Sequence, residues 1–437
     1  MKEKFIKSVF ILLIGGFFTK ILGMIIKIVL SRLIGTEGLG IYMMVLPTFS
    51  LFIGLAQFGM PIALSKLIAE GKRSSKQLIS SILPISFLIN IFLIISIILL
   101  APIISNNLLK DSRTYYAILA ISFVIPFTSI SSLCRSYFFG KELMGPHVLS
   151  NLVEDVVRLI SLIIGVPFFL SYGLEFAVFF VVFVNVISEI FSIIILIFFL
   201  PKNSFINKSD FVFKKNYLYD ALAIGIPNTA GRLIGSIGYF LEPIILTNIL
   251  IYVGYSTDFI TFEYGILSGY VLPIILLPSF FTFAISQALL PVVTKEYSKG
   301  NYLVVKKRIN QSIFLSLLIG IPVTVLFVIV PELFLNLVYN TSLGVSYLRI
   351  LAPIALFQYI QAPLMFSLEA IGKSKQAMYA TLYGIITRLI LLTCFSLLRI
   401  GLWGLVIATS FSILASTVYS YIQIRRNINN IIVWFLW

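Results

Sequence analysis

The chain of 437 residues is 59% hydrophobic and 11% charged, with a formal net charge of +15, and its mean hydropathy is +1.06. These values exclude an ordinary soluble domain and leave a polytopic membrane protein. The positive charge is dealt out among the segments between apolar runs, so its placement argues against a nucleic-acid partner.

Apolar runs long enough to span a bilayer, about 20 residues each, occur near 8–33, 40–65, 78–101, 115–139, 147–170 and 174–200. Six more follow near 217–250, 264–291, 309–333, 346–370, 376–399 and 402–424. The expectation is an all-α membrane protein of twelve helices. A transmembrane barrel would show alternating segments of about 10 residues, and none is visible. Lys2, Lys4 and Lys7 precede the first run, but that run is long, lacks a small-residue cleavage site and contains Lys20. It reads as a retained span and not as a signal peptide.

With the N-terminus inside, basic residues crowd the cytoplasmic segments: Lys66, Lys72, Arg73 and Lys76, then Lys202, Lys208, Lys214 and Lys215, then Lys295, Lys299, Lys306, Lys307 and Arg308. Arg425 and Arg426 close the series, whereas the outer loops hold Arg32, Lys110, Arg113, Arg349 and Arg399. This positive-inside pattern puts both termini in the cytoplasm. Lys20, Lys27, Arg135, Arg158, Arg232 and Arg388 are left in or at the edges of spans.

In the first span, "FFTKILGMIIKIVLSRLIG", Gly16, Lys20, Gly23, Lys27 and Ser31 fall within about 80° on a helix. The seventh repeats the pattern with Gly225, Asn228, Arg232, Ser236 and Tyr239. A charge facing lipid near the midplane costs from about 2.5 to above 10 kcal/mol, so both stripes are expected to face protein or a wet cavity. The competing reading is that the small residues pack and the cations snorkel or pair. Prolines 47 and 61 in the second span, 227 and 243 in the seventh, and 273 and 278 in the eighth are expected to interrupt backbone hydrogen bonds and act as hinges.

The fifth span carries the densest polar cluster, "NLVEDVVR", in which Glu154 and Arg158 have ion-pair spacing on a helix. Asn151, Glu154, Asp155 and Arg158 read either as a self-neutralised group or as a coupling or substrate site. Arg388 has no acid in its own span, and Glu369 is its expected partner; Glu242 has Arg232 as a candidate neighbour if the helix bends near Pro243. Asn185 and Glu189 in the sixth span are open to either reading. Cys134 and Cys394 fit no disulfide or metal spacing, and the single His147 has no metal or acid-base constellation around it. Neither a catalytic residue, a metal site nor a cofactor is expected.

The chain repeats itself. "AQFGMP" answers "SQALLP", pairing Gln57 with Gln287 and Pro61 with Pro291; Pro102 answers Pro331, and "RLI" at Arg158 answers "RLI" at Arg388, all about 230 residues apart. "TKILG" answers "GRLIG", pairing Lys20 with Arg232 at a shorter offset, which places an insertion in "IYVGYSTDFITFEY", read as a longer outer loop. The expected organisation is an N-lobe at 1–200, a cytoplasmic linker at 201–216, a C-lobe at 217–426 and an interfacial tail at 427–437. Two six-helix lobes with the same sense of insertion are related by an axis along the membrane normal.

The stretches "LSRLIGTEGLGIYMMVLPTF", "FGMPIALSKLIAE", "IPNTAGRLIGSIGYFLEP" and "YGILSGYVLPIILLPSFFTFAISQALLP" resemble the stage V sporulation protein B and polysaccharide exporter family. That family lies within the multidrug/oligosaccharidyl-lipid/polysaccharide flippase superfamily, and the similarity runs along nearly the whole chain. The resemblance implies a fold like that of the superfamily's multidrug exporters, with two lobes that rock about a cleft lined by helices 1, 2, 7 and 8. It also implies a polyprenyl-linked saccharide as cargo, a bacterial cytoplasmic membrane location, membrane lipids as surroundings and envelope-synthesis enzymes as candidate partners. Relative to lipid II flippases of the superfamily, this chain lacks two further C-terminal helices. It has Leu51 and Phe52 where they carry an arginine pair, and no basic residue within 264–291. Lys20 sits where their first-helix arginine sits. These departures count against lipid II itself and leave an anionic lipid-linked cargo.

The implied activity is a flippase in which Lys20, Arg232 and Lys27 attract pyrophosphate while Gln57, Asn228 and Gln287 line the sugar path. Glu154, Asp155, Arg158 and Arg388 form coupling or structural ion pairs in that reading. Three rivals stand beside it. A multidrug antiporter of the same fold needs a titrating acid deep in a lobe, which Glu154 or Asp155 can supply. A membrane glycosyltransferase needs acidic residues in large outer loops, which the short loops here do not offer. The third is a non-transporting scaffold for envelope synthesis.

Overall fold

Every backbone N–H and C=O inside a bilayer needs a partner within the protein, and a helix supplies one from its own segment. The computed structural model, which describes residues 2–201 and 214–428, is accordingly helical throughout with no strand among the described residues. Most of the expected linker, 202–213, and most of the expected tail, 429–437, lie outside the described residues. The helices are α1 (Lys2–Gln57), α2 (Met60–Ala69), α3 (Ser75–Pro102), α4 (Tyr115–Gly140), α5 (Met144–Leu170), α6 (Leu174–Phe199) and α7 (Lys215–Tyr252). They continue as α8 (Thr257–Gly265), α9 (Leu272–Leu276), α10 (Ser279–Ser298), α11 (Tyr302–Ile329), α12 (Pro331–Tyr339), α13 (Val345–Ala370), α14 (Ser374–Ser396) and α15 (Trp403–Asn427).

Among the described residues ten helices are long and apolar enough to cross a membrane, against the twelve expected. The difference has two sources. The first two predicted spans run on as α1, broken only by the non-helical Gly35 (φ 66°, ψ −175°). Helix α5 has the length, but every membrane-length window of it contains Glu154, Asp155 and Arg158. The expected long outer loop after the seventh span is also corrected: α7 continues to Tyr252 and α8 starts at Thr257, so the insertion is spent mostly on helix. Its start is capped by Ser256, whose hydroxyl accepts from the Phe259 N–H.

The prolines divide into two kinds. Pro47 lies within α1 and the helix runs through it; α7 likewise continues past Pro227 and Pro243. Pro61 and Pro278 stand at helix starts, where a missing N–H removes no helical bond, whereas Pro273 lies inside the continuous helical stretch Thr257–Leu276. A π-helical turn, Ile266–Val271, joins α8 to α9. At the break between α9 and α10 the Tyr359 hydroxyl donates to the Ile275 carbonyl (2.7 Å), so an acceptor beside Pro278 is satisfied from α13.

The described residues pack as two compact units that divide between Phe240 and Leu241, inside α7. The duplication boundary at 201–216 is a proposal about how the halves repeat; the packing boundary is set by which helices touch. In the first unit Met60, Leu64, Leu67, Leu78, Ile82, Phe138 and Ala221 share one buried cluster drawn from α2, α3, α4 and α7. Large apolar side chains such as Phe87, Phe92 and Leu99 of α3 stay exposed, while serines are buried and return their hydroxyls to their own helix, as Ser81 does to the Gln77 carbonyl (2.7 Å). This suits a lipid solvent, in which small residues let helices approach. A Cβ on Gly140 of α4 would stand 2.7 Å from the Ser65 carbonyl of α2.

Two clamps fix the ends of this unit. Arg113 reaches Asp111 (2.7 and 2.8 Å) and Glu37 (2.5 Å), tying α1 just past Gly35 to the turn before α4. At the other end Arg73 ion-pairs with Asp220 of α7 and lies over the Tyr217 ring (5.4 Å). In the second unit α10, α11, α13 and α15 close around Val293, Val305, Ile309, Leu364, Leu368 and Ile424.

Candidate functional site

Helix α1 ends at Gln57 because Phe58 (φ 44°) and Gly59 (φ 63°) turn left-handed before Pro61 opens α2. The bare Gly59 admits the backbone of α7: a Cβ there would stand 2.3 Å from the Gly225 carbonyl oxygen. One turn on, the Thr229 hydroxyl donates to that same carbonyl (2.8 Å). This close approach sets the height of Arg232, whose Nη1 donates to Gln57 Oε1 (3.4 Å). Asn228 is exposed one turn earlier, and its amide donates back to the Ile224 carbonyl (2.7 Å).

Lys20 and Lys27 are exposed on α1, two turns and about 10 Å apart along the axis, close enough for their charges to interact. Among the described residues no carboxylate pairs with Lys20, Lys27 or Arg232. The structure therefore brings Arg232, Asn228 and Gln57 together at the α1–α2 break. Gln287 is exposed on α10 of the second unit.

The remaining span cations are spoken for. In the first unit Arg158 Nη2 donates to Glu154 and Nη1 to Asp155 (3.2 Å) on the same helix. Arg135 of α4 pairs with Glu154 as well, and also donates to Glu189 (3.2 Å) and the Ser192 hydroxyl (2.7 Å) of α6. Glu154 thus bridges two guanidinium groups, and three carboxylates face two arginines. The reading from one helix found Glu154, Asp155 and Arg158 through their spacing. It missed Arg135, Glu189 and Ser192, whose only sequence signal was an arginine and a glutamate left over inside apolar spans.

Arg388 stands apart from that group, in the second unit. Its Nε lies 2.8 Å from Glu242 Oε2, and the Tyr264 hydroxyl of α8 donates to the other oxygen (3.5 Å). This corrects two expectations. Glu369 is near the C-terminal end of α13, whereas Arg388 is about 21 Å along α14 from its start at Ser374, out of side-chain reach. Glu242 is held by Arg388 and Tyr264 in place of the expected Arg232.

Residues 5–297 match the family described as polysaccharide biosynthesis protein, and residues 243–393 match the MatE family. The chain is 34% identical to stage V sporulation protein B of Bacillus subtilis (strain 168) over 398 residues, covering 89% of this chain and 77% of that protein. An inward-facing multidrug resistance MATE family transporter of the MOP superfamily superposes with a TM-score of 0.75 at 17% identity, over 96% of each chain. Lipid II flippase MurJ in an inward closed conformation superposes with a TM-score of 0.72 at 18% identity, over 94% of this chain and 87% of that one. Both likenesses show the fold: an all-helical, multi-pass membrane architecture. The chain belongs to the polysaccharide biosynthesis protein family.

Proposed function

We propose that this protein is an alternating-access flippase that moves a polyprenyl-linked oligosaccharide or peptidoglycan precursor outward across the bacterial cytoplasmic membrane, both termini being cytoplasmic. The observation that carries the reading is the contrast among span cations: Arg135, Arg158 and Arg388 are held by carboxylates, while Lys20, Lys27 and Arg232 are exposed and have none among the described residues. An unpaired cation in a membrane span is expensive unless an anion or water meets it, and its attraction for pyrophosphate grows as the surroundings lose water. In this reading Lys20 and Arg232 take the pyrophosphate, Lys27 assists, and Gln57, Asn228 and Gln287 offer amides to the saccharide hydroxyls. Family membership, with relatives named for polysaccharide biosynthesis, sporulation and lipid II flipping, supports a saccharide cargo.

The test is flipping of a labelled lipid-linked precursor by purified protein in proteoliposomes. Wild-type protein is expected to expose the label on the far leaflet, and the double variant Lys20→Gln/Arg232→Gln to lose most of that activity; equal activity would remove the two cations from the mechanism. One observation favours a second reading, a multidrug antiporter. The α4–α5–α6 network has one carboxylate more than its arginines balance, room for a proton or monovalent cation. Drug-resistance change on expression, with no precursor flipping, would select it.

A further inference from the structure

A groove in the second unit is used by neither the cation stripe nor the ion pairs. It is shallow and open, and is lined by Leu303, Lys306, Lys307, Asn310, Gln311 and Phe314, all of α11. Lys306 and Lys307 stand one turn inside a helix that starts at Tyr302. Arg308 Nη1 donates to Gln311 Oε1 (3.0 Å), so a third cation steadies an amide at the rim. The nearest acid in sequence, Glu296, is already taken by Lys299 (3.6 Å) and by the Asn301 amide (2.8 Å). Among the described residues no carboxylate pairs with either groove lysine, and the Asn310 Oδ1 is buried without a donor.

Beyond the polar end the same face of α11 turns apolar. Phe314, Leu318, Ile321 and Val325 follow at steps of four, three and four residues, on one side of the helix, and all are exposed, Phe314 at 64% and Leu318 at 58%. Cations, then amides, then a ring and an aliphatic ribbon is the order of groups that a phospholipid presents along its length: phosphate, glycerol and ester oxygens, acyl chain. Basic pockets at the end of a membrane helix suit anionic head groups. A free phosphate would meet the lysines and leave the ribbon uncovered.

We propose that this end of α11 is a binding groove for an anionic phospholipid, with Lys306 and Lys307 on the phosphate, Asn310 and Gln311 on the glycerol region, and the Phe314-to-Val325 ribbon along one acyl chain. None of these residues is among those proposed for the cargo, and the proposal does not depend on that reading.

Thermal melting of the purified full chain in neutral detergent tests this, because a ligand that binds only the folded state raises the melting temperature. Added phosphatidylglycerol is expected to raise it more than phosphatidylcholine, and inorganic phosphate to leave it unchanged. Lys306→Gln/Lys307→Gln should at least halve the phosphatidylglycerol increment, while Lys66→Gln/Lys72→Gln, which removes two exposed lysines elsewhere, should keep it. Native mass spectra should show the same loss of retained phosphatidylglycerol for the single variant Lys307→Gln. An undiminished increment in the groove variant overturns the proposal. So does an equal loss in the Lys66/Lys72 variant, an equal response to inorganic phosphate, or a response to a polyprenyl phosphate with none to phosphatidylglycerol.

Discussion

Two sets of cations lie in the spans, and the protein treats them oppositely. Arg135, Arg158 and Arg388 are locked to Glu154, Asp155, Glu189 and Glu242; Lys20, Lys27 and Arg232 are exposed, with only a 3.4 Å amide contact from Gln57 to Arg232. Residue type follows role except at Arg232. The guanidinium can serve several acceptors at once, as Arg135 does across three helices, whereas lysine is a mobile point charge. The first set answers a requirement of folding in lipid. The second has no carboxylate partner among the described residues, and the proposed function gives its charge to the cargo.

Arg158 and Arg388, which the proposed repeat would pair, sharpen the lesson, because one finds its acid four residues away and the other on α7. Glu242→Gln leaves the half-buried Arg388 guanidinium without its carboxylate and should lower stability by about 3 kcal/mol, the largest effect here, read by thermal unfolding in detergent. Replacing both partners by leucine should recover most of that loss. Glu154→Gln should be milder, about 2 kcal/mol, since Arg135 keeps Glu189 and Arg158 keeps Asp155. A double-mutant cycle with Arg135→Gln should show coupling, and additivity would break the bridge inferred between them.

Gly59→Ala tests how the free set is positioned. The left-handed backbone alone costs about 1–2 kcal/mol for a residue with a Cβ, and the Gly225 carbonyl must also retreat. Transport should fall more than stability because Arg232 is carried on the displaced helix. Smallest in stability are Lys20→Gln and Arg232→Gln, each expected within about 0.5 kcal/mol of wild type. A large loss in either would mean that these cations belong with the paired set.

How much of this could be read from the chain depends on the range of each interaction. Glu154 and Arg158 were legible because a helix brings residues four apart together. The Lys20–Arg232 correspondence rests on the proposed duplication, which would preserve order. Arg135 meeting Glu189, and Arg388 meeting Glu242, were not, since each depends on which helices pack and at what depth. Gly35 shows the same limit in the backbone: a glycine among apolar residues did not reveal whether the chain would loop out there or continue as one broken helix. The eighth predicted span began too late because "STDFITFEY" is polar enough to read as loop, yet Ser256 caps a helix within it.

Binding of a polyprenyl pyrophosphate to purified wild-type protein and to Lys20→Gln/Arg232→Gln tests the division between free and locked cations most directly. The expected result is a loss of affinity of at least about tenfold with an unchanged melting temperature. Equal affinity in a variant that melts like wild type would contradict the assignment of these side chains to the cargo.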